Sequence, residues 1–511
     1  MQRKKGKAPD YIIQLLGVVF LPVNIAVLAA LWVYRQLVGL WLQLTLGEAY
    51  GGLLSAGDKV YVPNVPASRK ITLILWYLRS DQKIDVMQKM TQTLNEKIKG
   101  DAKQEGKLTS TFHTFLGQDY LLKNQIGIDE IIKPMPGPKD GTFNDAYLKK
   151  LVGDLSNVPL PRNHTALWEI LVGIDPMDNA NTNVEGYLYP VLFRIHHSTA
   201  DGIRLVLFMS KIFSSDVNYV DKISRQRSGR KRILDQLCDV LSKSIQLVYL
   251  VVKGPAAILN MTFWKEEDEN PIHNASLSGD KLIAWSAEQS IQRVNTVKNI
   301  KNRIPNTRFS EVVLSCVSAS FYNYFQLKKW KVPPQMSVLT PLLFLYPESN
   351  SSKLPELRND FTFADLSLPL VDPDHFINGL EDVKVSVEKM RKSPTTAVMY
   401  FLVNYICAVI PSQLLLKITT TKAFTATISI VPGAGRIKVF GDCDLETIIS
   451  TAPHSNETGI CFTILTYDDK FQICAFVDKA IMSEQEDVQY LVDEVFRNMD
   501  LLNKQSLQTF A

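Results

Sequence analysis

The run from Phe193 to Gly202 (Phe-Arg-Ile-His-His-Ser-Thr-Ala-Asp-Gly) constrains this chain more than any other stretch. It joins an apolar segment, Val191 to Ile195, to an amphipathic one, Ile203 to Phe213, a pattern that predicts a strand, a tight loop and a helix. Two adjacent histidines end the strand. A neutral imidazole there can take a proton from a hydroxyl near pH 7, because its unperturbed pKa of ~6.5 lies close to that pH. Side chains alternate across a strand, so His197 is the candidate base and His196 falls on the other face. Asp201 either caps the helix or pairs with Arg194 or Arg204, and Gly202 supplies the backbone freedom of a tight turn. The candidate catalytic group is His197, His196 and Asp201, with Gly202 as a structural member of the site.

The rest of the chain limits the chemistry. Its 511 residues allow more than one core. A net charge of +4, from 56 basic and 52 acidic residues, is too near balance for a nucleic-acid footprint, so no nucleic acid is expected as a partner. The six cysteines are scattered, without a C-x-x-C pair or a histidine at ligand spacing. They support neither a disulfide framework nor a metal site, and they read as reduced, buried thiols. There is no Gly-x-Ser-x-Gly elbow and no cysteine beside a histidine, so no covalent nucleophile is indicated.

Arg3, Lys4, Lys5 and Lys7 precede an uncharged stretch, Tyr11 to Tyr34, long enough to cross a bilayer core of ~30 Å. Arg35 interrupts it, and Leu37 to Leu46 resumes it with Trp41. Residues 1–48 are therefore expected to form a membrane anchor that either spans or bends back at Pro22 to Asn24, with its basic end cytoplasmic. The membrane is expected to be the endoplasmic reticulum, with the plasma membrane as the alternative.

Beyond the anchor the pattern is that of an α/β protein. Residues 49–221 form a first lobe, with strands expected at Lys59 to Val62, Ile71 to Leu78, Leu167 to Val172 and Gly186 to Ile195, and helices at Asp85 to Lys99 and Asp145 to Leu155. Ile132 to Gly141 reads as a loop. A linker, 222–279, begins with the basic cluster Lys222 to Arg232 and carries apolar residues after it. The second lobe, 280–511, has strands expected at Leu282 to Trp285, Met336 to Leu345, Phe361 to Leu368 and Ala426 to Val431, then a hairpin of Ile460 to Tyr467 with Phe471 to Val477. Its helices are Glu288 to Asn299, Phe309 to Phe325 and Glu484 to Leu502. Ala397 to Leu416 is uncharged, but Asn404 and Pro411 interrupt it, which favours two buried or membrane-facing helices over a second span.

The motif His196-His197-x-x-x-Asp201-Gly202 resembles the signature of the wax ester synthase/diacylglycerol acyltransferase family, within the wider chloramphenicol-acetyltransferase and condensation-domain superfamily. Other segments follow in matching order. Leu167-Trp168-Glu169 is similar to that family's Pro-Leu-Trp segment, with Ala166 in place of proline. Asn359 followed by Leu368-Pro369-Leu370 resembles its Asn and Leu-Pro-Leu region, and Ser429 to Gly433 resembles its Asn-Val-Pro-Gly-Pro turn, with Ile430 and Ala434 as departures. Thr307, Ser310, Glu311 and Val312 stand where the family has Thr-x-Asn-Asp-Val.

The resemblance implies two acetyltransferase-like lobes with a channel between them, and acyl transfer from a fatty acyl-CoA to the oxygen of a long-chain alcohol or of diacylglycerol. His197 would be the general base, and Leu167, Trp168 and Asn359 would contact substrate. Acyl-CoA is then a co-substrate and no bound cofactor is implied. The alternatives are a lipid-binding or transfer protein that keeps the fold without turnover, and a carnitine-type or condensing acyltransferase.

Overall fold

The computed structural model describes residues 10–510 except 64, 66, 99–105, 140, 142, 161–165, 179–184, 215–251, 261–264, 274, 287–291, 344–353, 420–422, 432, 434 and 455–457. The basic cluster at 222–232 lies outside the described residues. The chain opens with α1 (Asp10–Val19), α2 (Leu21–Leu46), β1 (Tyr50–Leu53), α3 (Ala56–Lys59), β2 (Ile71–Ser80) and α4 (Val86–Ile98). There follow β3 (Ser110–Phe115), β4 (Gln118–Lys123), β5 (Ile132–Pro134), α5 (Asp145–Ser156), β6 (Trp168–Val172), β7 (Tyr187–His196) and α6 (Gly202–Phe213). After a helix at 252–259 come β8 (Lys281–Trp285), α7 (Gln292–Arg303), α8 (Phe309–Leu327), β9 (Gln335–Leu342), β10 (Thr362–Pro369), α9 (Phe376–Lys392), α10 (Pro394–Asn404) and α11 (Ser412–Thr419). The chain closes with β11 (Ala426–Val431), β12 (Lys438–Val439), β13 (Cys443–Thr451), β14 (Ile460–Tyr467), β15 (Lys470–Asp478) and α12 (Gln485–Phe510).

Two six-stranded mixed sheets dominate, one in the order β12-β13-β2-β7-β6-β5, the other β10-β9-β11-β14-β15-β8. Both β2 and β7 are central and nearly continuous apolar runs, as strands covered on both faces must be. On one face of the first sheet Trp76, Leu78 and Phe193 pack with Met90 of α4 and Phe208 of α6. On the other, Leu73, Leu75 and Ile449 meet Cys461, Cys474 and Phe476 of the second sheet. The helices α7, α8, α9 and α12 cover the far face of that second sheet.

The chain does not keep its sheets separate. Strand β13, from the second expected lobe, pairs antiparallel with β2 of the first, from Asp444 opposite Arg79 to Thr451 opposite Leu73. Arg79 ion-pairs with Asp444 and Glu446 across that register, so the acidic residues of this strand are neutralised by its neighbour. A third, small sheet, β1-β4-β3, was not expected and sits under α2.

The expected strand at Lys59 to Val62 is instead the last residue of the short helix α3 and the turn after it; the helix is capped by Ser55, whose side chain accepts from the Asp58 backbone. Ile132 to Pro134 adds a parallel edge strand where a loop was expected. Residues 394–419 form two helices, as their interrupting residues predict. The described cysteines, Cys316, Cys407, Cys443, Cys461 and Cys474, are free and buried.

At the N-terminus, α2 is long and apolar enough to cross a membrane. Arg35 does not end it. The helix runs through Arg35 to Leu46, and the guanidinium is buried, donating to the Gln118 side chain at 3.2 Å and to the Leu54 carbonyl at 2.6 Å. Pro22 in its first turn marks the break from α1.

Candidate active site

His197 is placed by the strand that precedes it. Its backbone N–H donates to the Lys70 carbonyl at 2.7 Å, just beyond the β2–β7 ladder that pairs His196 with Ile71. The ring stacks on Tyr61, centroids 3.9 Å apart and planes 16° from parallel. Nδ1 lies 3.1 Å from Oδ1 of Asn359.

The orientation of that amide is decided by its other contacts. Asn359 Nδ2 donates to Asp58 Oδ1 and to the His197 carbonyl, both at 2.8 Å, and both of those atoms are acceptors only. Oδ1 must then face the ring, and it can only accept. Nδ1 of His197 therefore carries the hydrogen, and Nε2 keeps its lone pair. Asp58 is itself held, ion-paired to Lys107 at 2.9 Å and accepting from the Asn359 backbone at 2.8 Å.

Burial lowers the His197 pKa to about 4, and hydrogen bonds to its own carbonyl and to Asn359 oppose this only in part. The imidazole is thus neutral at physiological pH, the state a base requires.

The ring borders a cavity of about 250 Å³ between the two sheets. Its walls are mainly apolar: Tyr61, Phe361, Phe363, Leu342, Ile430 and Val431. Polar atoms are few. Among them the hydroxyls of Thr72 on β2 and Thr451 on β13 are buried and have no hydrogen-bond partner among the described residues. A mostly apolar chamber with sparse polar groups beside a neutral histidine suits an apolar substrate with one reacting hydroxyl.

The other expected residues divide. His196 lies on the opposite face, as alternation predicts, with Nδ1 2.8 Å from Ser198 Oγ and its ring against Phe112, and it does not line the cavity. Asp201 caps α6, accepting from Arg204 N at 2.9 Å, and its second oxygen accepts from Asp360 N at 3.1 Å. Of the two arginines considered for Asp201, Arg204 is the partner, with Nε 3.6 Å away, whereas Arg194 pairs with Glu169. Desolvation raises the Asp201 carboxyl to about 6.

Gly202 does not supply a special backbone conformation, because its φ is not positive, and a Cβ there would meet nothing within 4 Å. It lines the cavity instead. Leu167 and Trp168 do not touch the cavity: the Leu167 carbonyl accepts from His196 N at 2.7 Å, and Trp168 Nε1 donates to the Leu108 carbonyl at 2.9 Å within the core. Asn359 belongs at the site, but it grips the histidine rather than lining the cavity. Sequence reasoning missed Asp58, within α3, and Tyr61, in the turn after it, where a strand was expected.

Two sheets facing across a cavity, with a neutral histidine just past the end of a central strand, define a mixed α/β fold of the chloramphenicol-acetyltransferase and condensation-domain class. Residues 357–502 match the WS/DGAT C-terminal domain. The O-acyltransferase WSD of Acinetobacter baylyi is 21% identical over 319 residues, 58% of this chain and 66% of that protein, so the match spans just under two thirds of the relative's length. The wax ester synthase/diacylglycerol acyltransferase of Marinobacter aquaeolei VT8 superposes with a TM-score of 0.57 at 13% identity, covering 89% of this chain and 99% of that one. The starter condensation domain of rhizomide synthetase in complex with C8-CoA superposes with a TM-score of 0.52 at 11% identity, covering 88% and 94%. The chain resembles the wax ester synthase/diacylglycerol acyltransferase family in its C-terminal sequence, in a curated relative and in fold.

Proposed function

We propose that this protein is a membrane-associated O-acyltransferase that moves a fatty acyl group from acyl-CoA to a long-chain alcohol or diacylglycerol. The observation that carries the reading is His197, neutral, fixed in one tautomer by Asn359, with a free Nε2 beside an apolar cavity. Nε2 takes the hydroxyl proton as the alcohol oxygen attacks the thioester carbonyl. The tetrahedral intermediate collapses to the ester, and the proton returns from His197 to the departing CoA thiolate. The hydroxyls of Thr72 and Thr451, without a partner among the described residues, are donors available to the transient oxyanion. A thioester is already activated, so no covalent enzyme intermediate is needed. The C8-CoA held by a condensation domain of the same fold supports the acyl donor, and the exposed apolar helix α2 supports a membrane location, which we assign to the endoplasmic reticulum.

The test is a product assay on purified protein with palmitoyl-CoA against a panel of alcohols and diacylglycerol, reading ester and released thiol together. His197→Ala is expected to lose activity by a factor of about 10² to 10⁴, the usual contribution of a positioned base. Undiminished turnover would remove His197 from the mechanism. Binding of labelled lipid without thiol release in the native protein would favour the non-catalytic lipid carrier.

A further inference from the structure

The membrane-associated reading proposed above leaves open how the chain meets the lipid, and the N-terminal helices are fastened in a way that answers it. Helix α2 is apolar all round, and the only charged side chain between Tyr11 and Leu46 is Arg35. That charge is turned into the protein, against Gln118 and Leu54. One turn further on Val38, Gly39 and Leu42 are buried, and a Cβ on Gly39 would already meet the Leu53 side chain at 2.9 Å. Upstream, α1 is fastened as well. Ile13 is buried, Lys253 donates to Gln14 at 3.2 Å, and a Cβ on Gly17 would lie 2.4 Å from Pro255. Held to the body at both ends, the α1–α2 unit cannot pass through a bilayer while these contacts persist.

Its outer face nevertheless stays apolar and bare, with Trp32, Trp41 and Leu44 each more than half exposed. The same character continues onto neighbouring elements. Tyr34 of α2 donates to the carbonyl of Leu116, the 61% exposed tip of the β3–β4 hairpin. Gly117 of that tip abuts Pro411, and its carbonyl accepts from Ser412 at the start of α11, where Leu414 is exposed. Phe401 and Tyr405, at the end of α10, are exposed too. From behind, the helix at 252–259 bridges α1 to α10, with Gly254 facing Val398.

We infer that these elements form one docking surface for a single leaflet of a phospholipid membrane, on which the protein lies flat, and that an acceptor lipid enters the cavity from it beside α10. A lipid surface is favoured over a protein partner because the large exposed residues of this face are apolar or aromatic, with Lys417 near the end of α11 as its charge, where protein interfaces carry a substantial polar share, and because exposed Trp and Tyr suit the headgroup boundary. Arg3, Lys4, Lys5 and Lys7, immediately before α1, suit anionic headgroups. The route inward is short. Val403 and Met399 of α10 pack on Tyr61 and Phe361, the two rings that wall the cavity next to His197.

Flotation of the full-length protein with phosphatidylcholine vesicles containing a minor fraction of phosphatidylserine tests this, followed by an alkaline carbonate wash. The native protein is expected to float and to be released by carbonate. Phe401→Glu with Leu414→Glu is expected to lower the bound fraction about tenfold or more, although α1 and α2 are untouched, because two apolar anchors become charged. The same variant should keep its turnover of a short, water-soluble alcohol in detergent, which also shows that it is folded. Retention after carbonate, or unchanged flotation of that variant, would overturn flat docking. Flotation reads the docking and thiol release reads the chemistry, so failure of one is distinguishable from failure of the other.

Discussion

Asp58 Oδ1 receives two hydrogen bonds from Asn359, one from the backbone and one from the side-chain amide, each 2.8 Å long across 301 residues of sequence. The carboxylate thereby decides which end of the amide faces His197, and through it which ring nitrogen is free. Asn359→Leu removes the acceptor for Nδ1–H and is expected to lower kcat by about 10- to 100-fold, the scale seen when a partner orienting a functional histidine is removed. The same reasoning applies to Asp58→Asn, where the new amide can offer a donor to Asn359 and reverse it. Because neither residue lines the cavity, KM for the alcohol should change much less than kcat. Equal changes in both constants would show that these residues bind substrate instead.

The two titrating groups of the motif respond to acid with opposite sign. His197, held at about 4 against an unfolded value of ~6.5, leaves the unfolded chain binding the extra proton between those values. Its contribution to stability is complete above pH ~6.5 and is lost as pH falls towards 4. Asp201, raised to about 6 from 3.8, contributes stability that is complete below pH 3.8 and is lost as pH rises through 6. The two effects oppose each other between pH 4 and 6. His197→Gln removes the first, so its melting temperature relative to the native protein should increase from pH 7 to pH 5, by an amount corresponding to at most about 2 kcal/mol. Asp201→Asn keeps an N-cap and removes the second, so its relative stability should decrease over the same interval. Thermal melts of the three proteins at both pH values check this, and identical differences at pH 7 and pH 5 would refute it.

Some of this arrangement is legible in the sequence because it is local. The apolar runs of β2 and β7 announce central strands, and the two-residue period of a strand separates His197 from His196. The cap formed by Asp201 follows from its place before an amphipathic helix. What escapes is set by distance along the chain. Asn359 is expected at the site, but as a substrate contact, because its hold on His197 spans 162 residues, and Asp58 and Tyr61 lie in and just after a four-residue helix where the pattern of Lys59 to Val62 imitates a strand. Strand β13 escapes because Asp444 and Glu446 are unfavourable in a strand until Arg79 stands opposite. Arg35 reads as an interruption of the apolar segment only while its partner Gln118, 83 residues on, is unknown.

Gly202 separates a structural need from a functional one. The motif suggests a glycine demanded by the turn, yet its φ lies outside the left-handed region and nothing stands within 4 Å of where a Cβ would be. Ala at the first position of α6 restricts the unfolded chain and should hold or raise stability by up to about 1 kcal/mol. The space the methyl would enter is the cavity that His197 borders. Gly202→Ala is therefore expected to melt no lower than the native protein while KM for a long-chain alcohol rises several-fold and a short alcohol is little affected. Thermal melts and a comparison of the two acceptors decide it. A variant that melts several degrees lower would return Gly202 to a structural role, and one with unchanged KM for both acceptors would place the reacting alcohol elsewhere in the cavity.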